Sequence, residues 1–176
     1  FVDSITGGSI PREYIPSVQK GMRECLGAGT LIGAPLDGLR VELDDGKHHA
    51  VDSSDMAFQA AAKGAFREYY PKGRPQVLEP IMNVSVEGPA EFQGEMVGTI
   101  LQRRGILVGT TEDQEFVRIE AEVPLAEMFG YATSLRSATQ GKAEFTMEFR
   151  RYAPATRDAE EELVRKYREE QEAKKA

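Results

Sequence analysis

His48 and His49 are the only histidines in the 176-residue sequence, and they stand side by side in Asp44-Asp45-Gly46-Lys47-His48-His49-Ala50-Val51-Asp52-Ser53-Ser54. Imidazoles near carboxylates and hydroxyls suggest catalysis first. A Ser-His-Asp hydrolase can be drawn from His49, Asp52 and Ser53, but no Gly-x-Ser-x-Gly elbow occurs and the three crowd into one local loop. A metal site from His48, His49, Asp44 and Asp52 has suitable donors. Adjacent residues of extended chain point opposite ways, however, which keeps both rings from one ion. Nucleotide hydrolysis lacks its phosphate loop, because Gly46-Lys47 and Gly141-Lys142 stand outside any Gly-x-x-x-x-Gly-Lys-Ser/Thr pattern. A contact surface is the remaining chemistry. Lys47 and two flat, hydrogen-bonding imidazoles suit stacking and phosphate contacts on RNA, with Gly7-Gly8 as a second turn at the same end. The plainer alternative, which composition alone favours, makes the glycines a turn and the histidines ordinary surface residues.

The elements around this loop follow from periodicity. Before it, Leu39, Val41 and Leu43 alternate with polar residues and predict a half-buried strand over Leu36 to Leu43. After it, Asp52, Ser53 and Ser54 offer caps to a helix running to Tyr69, with Met56, Phe58, Ala61, Ala62, Ala65, Phe66 and Tyr69 as a broad buried side. Gly64 inside that helix predicts a closely packed neighbour. Phe1 to Thr6 reads as a strand, and Pro16 opens a helix whose Val18, Met22, Cys25 and Leu26 share a face until Gly27 and Gly29. Pro71, Gly73 and Pro75 mark a boundary, and Gln76 to Pro80 reads as a link that can also be a strand. From Ile81 onward the order strand, helix, strand occurs twice, closing at Glu144 to Phe149, which predicts a ferredoxin-like βαββαβ sandwich. Within it, Arg103 and Arg104 before Gly105, and Arg136, Ser137 and Gln140 before Gly141, end the two helices. Cations there suit a helix dipole or a phosphate-contacting edge. Phe129 and Tyr131 read as packing residues. The tail from Thr156 to Lys175 predicts a helix with a narrow stripe of Ala159, Leu163, Val164 and Tyr167. Its expected i,i+4 pairs are Glu161/Arg165, Glu162/Lys166 and Glu170/Lys174.

Composition narrows the partners. With 22 Lys/Arg against 29 Asp/Glu the net charge is −7, which argues against charge-driven coating of nucleic acid such as DNA. Contact with RNA then depends on particular side chains. The apolar runs are too short to span a membrane, and a single Cys25 fits a reducing compartment such as the cytoplasm. Starting at Phe1 within a predicted strand, the chain is expected to be a fragment of something longer.

Five blocks, in order, carry a resemblance. They are Gly7-Gly8-Ser9-Ile10-Pro11 with Glu13-Tyr14-Ile15-Pro16, Val51-Asp52-Ser53-Ser54 with Ala57-Phe58, Leu78-Glu79-Pro80-Ile81-Met82, Arg103-Arg104-Gly105, and Val123-Pro124-Leu125-Ala126-Glu127-Met128-Phe129-Gly130-Tyr131-Ala132-Thr133. From Phe1 to about Tyr152 the chain resembles the C-terminal third of bacterial elongation factor G. The resemblance implies an α+β chain of two α/β sandwiches. Residues 1–77 would be domain IV, a ribosomal-protein-like split-crossover fold without its first strand; 78–153 would be the ferredoxin-like domain V; and 154–176 would be a helix packing back on domain IV. It also implies a parent that is a ribosome-dependent GTPase driving tRNA-mRNA translocation, with GTP and Mg held by an N-terminal domain outside this sequence. No catalytic residue, cofactor or metal would lie in the fragment itself. Gly7, Gly8, Ser9, Lys47, His48 and His49 would form the tip entering the decoding region of the small subunit. Arg103, Arg104, Arg136, Ser137 and Gln140 would face the sarcin-ricin loop of the large subunit. Two departures stand out: His48 and Ala50 occupy positions where the family usually carries an aromatic and an acidic residue, and the tail beyond Pro154 is longer. Both fit a paralogue, such as one serving ribosome recycling, as well as a translocase.

Overall fold

The computed structural model describes residues 1–174, and the chain divides into two compact units. One comprises Phe1–Val77 together with the chain from Thr156 on, the other Leu78–Ala155.

In the first unit, β1 (Val2–Asp3) pairs in parallel with β2 (Glu42–Leu43), and the crossover between them carries α1 (Ile15–Glu24), with Pro16 in its first turn. Both strands are shorter than the alternation predicts. Asp3 Oδ1 accepts a hydrogen bond from Ile5 N at 3.0 Å and turns the chain out of β1. Ahead of β2, Asp37 Oδ1 accepts from Gly38 N at 2.7 Å while Gly38 takes φ +70°, so the Leu39/Val41 alternation decorates a bent segment.

The next helix, α2 (Asp55–Tyr69), starts at Ser54, whose hydroxyl accepts from Ala57 N at 3.2 Å. Only Phe58, Ala62 and Phe66 are buried along it, and Met56 and Tyr69 are exposed. The stripe is narrow because α2 packs on α1 and not on a broad sheet. Close approach occurs on the partner helix: a Cβ at Gly21 would lie 2.6 Å from the Gln59 carbonyl oxygen and 3.0 Å from Ala62 Cβ. Gly64, expected to sit under a neighbour, has open space instead. Ile10, Val18, Phe58 and Ala62 form the core, with Tyr14 stacked on Phe58 at 4.7 Å and Ser17 Oγ donating to Asp55 Oδ1 at 2.6 Å.

The last helix, α5 (Arg157–Ala173), belongs to this unit; α3 (Gln93–Leu101) and α4 (Tyr131–Ala138) lie in the other. Glu160 accepts from Val77 N at 3.0 Å, and the Tyr167 ring fills the space above Gly33, where a Cβ would come within 2.7 Å. Of the predicted ion pairs Glu162–Lys166 forms. Arg157 takes Glu161, which leaves Arg165 to pair with Glu169. Lys175, expected in the last turn, lies outside the described residues.

The second unit is one antiparallel sheet in the order β4-β5-β3-β6, built from β3 (Leu78–Pro89), β4 (Ile106–Asp113), β5 (Phe116–Pro124) and β6 (Glu144–Pro154). The helices α3 (Gln93–Leu101) and α4 (Tyr131–Ala138) make the two crossovers of a ferredoxin-like sandwich. Register explains the core. Val84 faces Ala121 and Val86 faces Ile119, so one sheet face is apolar and receives Met96, Ile100, Tyr131 and Leu135. The other face pairs Ser85 with Glu120 and Glu87 with Arg118. The predicted link at Gln76 to Pro80 is largely the start of β3. On β6 the alternation of Phe145, Met147 and Phe149 holds in register, yet only Phe145 reaches the core, edge-on to Tyr131 at 4.8 Å; Met147 and Phe149 stay exposed at the sheet's edge.

The two helical glycines make opposite predictions. Gly21→Ala should destabilise the first unit by about 1–3 kcal/mol, since the methyl meets a backbone carbonyl. Gly64→Ala should stabilise it by up to about 1 kcal/mol through helix propensity. Denaturant unfolding of the two variants measures both signs.

Candidate nucleic-acid interface

In the first unit, two loops that are far apart in sequence meet. Gly7 and Gly8 take φ +68° and +70° with nothing near their missing side chains, so backbone conformation and not space demands glycine. The next residues turn inward. Ile10 is 3% exposed and belongs to the core, and a Cβ at Gly46 would collide with its Cδ1. Gly46 therefore lies flat on Ile10, and the loop from Asp44 onward passes over the Gly7–Ile10 turn. His48 Nδ1 lies 3.3 Å from the Ser9 carbonyl oxygen, a second tie between the loops. His49 is fixed through its backbone: its N–H donates to Ser53 Oγ at 2.9 Å, and its carbonyl accepts from Ser53 N at 3.1 Å. Its ring and the Lys47 side chain are left exposed. The Ser9 hydroxyl is buried with no partner among the described residues.

This geometry bears on the catalytic readings. Among the described residues no three His, Cys, Asp or Glu side chains gather to hold a metal. Neither Gly-Lys pair fits a nucleotide phosphate. Gly46 rests on Ile10 instead of opening a helix, and Lys142 is bound to Glu91 at 2.8 Å and lies over the Phe92 ring. No helix among the described residues is long and apolar enough to cross a membrane.

In the second unit the five selected residues divide into two kinds. Arg103 and Arg104, in the tight turn after α3, spend their guanidinium groups inside the unit. Arg104, at φ +57°, holds both oxygens of buried Glu79 at 3.0 and 2.9 Å and Glu127 at 2.8 Å. The Glu79 bond, more than any other contact, raises its already high pKa. Arg103 donates to the carbonyls of Glu127 and Phe129 and to Ser134 Oγ, and lies over the Tyr131 ring. Arg136 and Ser137 on α4, and Gln140 just past it, are exposed. Beyond the helix Thr139 is fully buried, its Oγ1 donating to Leu135 O at 2.7 Å and accepting from Ala143 N at 3.3 Å. Sequence reasoning misassigned one neighbour. Tyr131 packs as predicted, but Phe129 is 79% exposed, because Gly130 at φ +74° reverses the chain between them. That Gly after an aromatic was the one available signal.

Comparison with known proteins follows the same division. The model of elongation factor G, domain IV matches residues 1–74, and that of the elongation factor G C-terminus matches residues 76–163. Elongation factor G 1 of Treponema pallidum is 58% identical over 173 residues, which is 98% of this chain and 25% of that protein. Elongation factor G 2 of Anaeromyxobacter dehalogenans is 58% identical over 166 residues, 94% of this chain and 24% of that protein. A crystal structure from Thermus thermophilus superposes with a TM-score of 0.86 at 35% identity, covering 96% of this chain and 26% of that one. The chain thus spans about a quarter of the length of the curated relatives it matches.

Two substitutions test the geometry. Gly46→Ala should loosen the meeting of the two loops, and Ile10→Val, which removes the clashing Cδ1 but keeps a carbon at the Cγ1 position 2.7 Å away, should restore only part of it; amide exchange at Gly7 to Ile10 reads the change. Arg104→Met should destabilise the second unit by about 1–3 kcal/mol, less than the full cost of breaking a buried pair because the arginine is part exposed. Adding Glu79→Gln should recover part of that loss, as the buried charge is then gone.

Proposed function

Since the chain belongs to the elongation factor G family, matching its domain IV and its C-terminal part, we propose that it is the ribosome-contacting portion of a translational GTPase that promotes tRNA-mRNA translocation. The observation that carries this reading is the meeting of the two loops. Gly46 on Ile10 and His48 on Ser9 make a tip whose backbone is fixed to the core while Lys47 and His49 stay free. A rigid tip can occupy space beside the codon-anticodon helix in the decoding region without being pushed aside, so returning tRNA meets a wedge. His49 supplies hydrogen bonds and a flat ring to RNA there, and Lys47 supplies a phosphate contact. In the second unit Arg136, Ser137 and Gln140 face the sarcin-ricin loop region of the large subunit, with Arg103 holding α4 through Ser134 Oγ and Arg104 spent on Glu79 and Glu127.

Nucleotide chemistry belongs in this proposal to the rest of the parent, which binds GTP with Mg; no residue of 1–176 takes part in hydrolysis. The proposed domain borders are 77/78 and 153/154, and the proposed location is the cytoplasm, where ribosomes work. A recycling paralogue would use the same fold, and the departures at His48 and Ala50 in the tip loop fit it as well as they fit a translocase.

The parent protein carrying His49→Ala separates these readings. Single-turnover translocation should slow by about tenfold or more, the loss of roughly one strong polar contact in the barrier, with ribosome-stimulated GTP hydrolysis largely intact. Equal loss of both activities would count against a tip role. A parent that splits ribosomes with recycling factor and does not translocate would establish the paralogue.

A further inference from the structure

Phe129 is 79% exposed, turned outward by the left-handed backbone at Gly130. A phenyl ring left in water forfeits its burial energy, and this one is held out by the backbone, not by looseness. Arg103 binds the carbonyl of Phe129 itself at 3.1 Å and Ser134 Oγ at 2.9 Å, while Thr139 ties down the far end of α4. On the outward side of α4, opposite buried Tyr131 and Leu135, stand Thr133, Arg136 and Ser137, with Gln140 after them. Arg136 makes no ion pair among the described residues. Residues 128–143 contain no Asp or Glu, in a chain with 29 of them. A cation, hydroxyls, an amide and one aromatic face, without an acid among them, match RNA and not an apolar partner. Gly130, Ala132 and Thr133, next to it in sequence, are small and add little apolar area of their own.

We propose that Phe129 is a stacking platform for an unpaired RNA base, with Arg136 on an adjacent phosphate and Ser137 and Gln140 on sugar or base edges. The ligand class is a structured RNA loop with an extruded base, since a stacked duplex offers no free face to a single ring. This rests on the reading of α4 as an RNA contact and deepens it. It names the residue that distinguishes an open loop from a paired stem.

The test uses the full 176-residue chain and a stem-loop RNA carrying 2-aminopurine at an unpaired loop position, beside the same sequence closed into a duplex. The expected result is quenching of the loop probe on binding, with weaker binding to the duplex. Phe129→Ala should abolish the quench and weaken loop binding by roughly five- to a hundredfold, and Phe129→Tyr should restore both. Unchanged quench and affinity in Phe129→Ala overturn the proposal; if Arg136→Ala still weakens binding, the RNA reading of α4 survives without it. Equal binding of loop and duplex also overturns it. Absence of any binding by the wild-type chain overturns both readings. Loss of ribosome binding in Phe129→Ala with the RNA quench intact would assign the ring to a protein partner instead.

Discussion

The contact of Gly46 with Ile10 is the constraint on which the first unit's exposed tip depends. Ile10 is core, packed with Val18, Phe58 and Ala62, yet it sits two residues from Gly8, which is exposed. Such a short path from core to tip leaves little slack in the first loop. The second loop gains its rigidity by lying on the first, which only a residue without Cβ permits at that point. His48 and Ser53 then fix the chain on either side of the histidine ring that remains free. Stiffness thus passes from the α1–α2 interface through one isoleucine to a loop that has few apolar contacts of its own. A loop mounted this way can present function without sampling many shapes.

The second unit solves the same problem with charge instead of packing. The segment from Glu127 to Gly130 buries only Met128, and Arg103 and Arg104 hold the rest by hydrogen bonds from one tight turn. That turn is itself forced. Arg104 adopts φ +57°, and a Cβ at Gly105 would meet the Ile100 carbonyl at 2.7 Å, so the chain must reverse there. Adjacent arginines leaving a left-handed turn diverge, and each reaches a different part of the loop. Glu79, nearly buried on β3, anchors the network to the sheet.

The sequence told some of this and hid the rest for physical reasons. Strong signals survived: the Ser54 cap, the βαββαβ order and the alternation of Val84, Val86 and Ile119 all depend on local spacing, which folding leaves untouched. The Leu39/Val41/Leu43 alternation misled, because a period of two describes residues that extend, and a turn at Gly38 supplied the bend without breaking the pattern. Gly64 and Gly21 look alike in sequence. Only the partner helix reveals which lies under a neighbour. For the candidate site, the histidines and glycine pairs stood out by type, but the clasp between residues 9 and 48 is a long-range fact with no local trace. Arg103 and Arg104 looked like free cations because the carboxylate and carbonyls that take them up lie more than twenty residues away.

The two proposed contact regions differ in charge, and that difference constrains how each can meet RNA. The tip loop carries Asp44, Asp45 and Asp52 against Lys47, so bulk attraction to phosphate is weak there and repulsion reaches out to a Debye length of about 8 Å at physiological salt. A surface of that kind gains little by counterion release and must rely on fit, hydrogen bonding and rigidity at short range. Residues 128–143 contribute no acid of their own, although Glu91 pairs with Lys142, and Arg136 makes no ion pair among the described residues, so attraction to phosphate there rests on Arg136. If both act in one protein, the basic surface supplies attraction that is salt-sensitive, and the acidic tip supplies selectivity that is not. An acidic tip also resists staying bound. For the proposed wedge, stiffness then matters more than affinity, and Gly46 on Ile10 supplies stiffness while the three aspartates limit affinity.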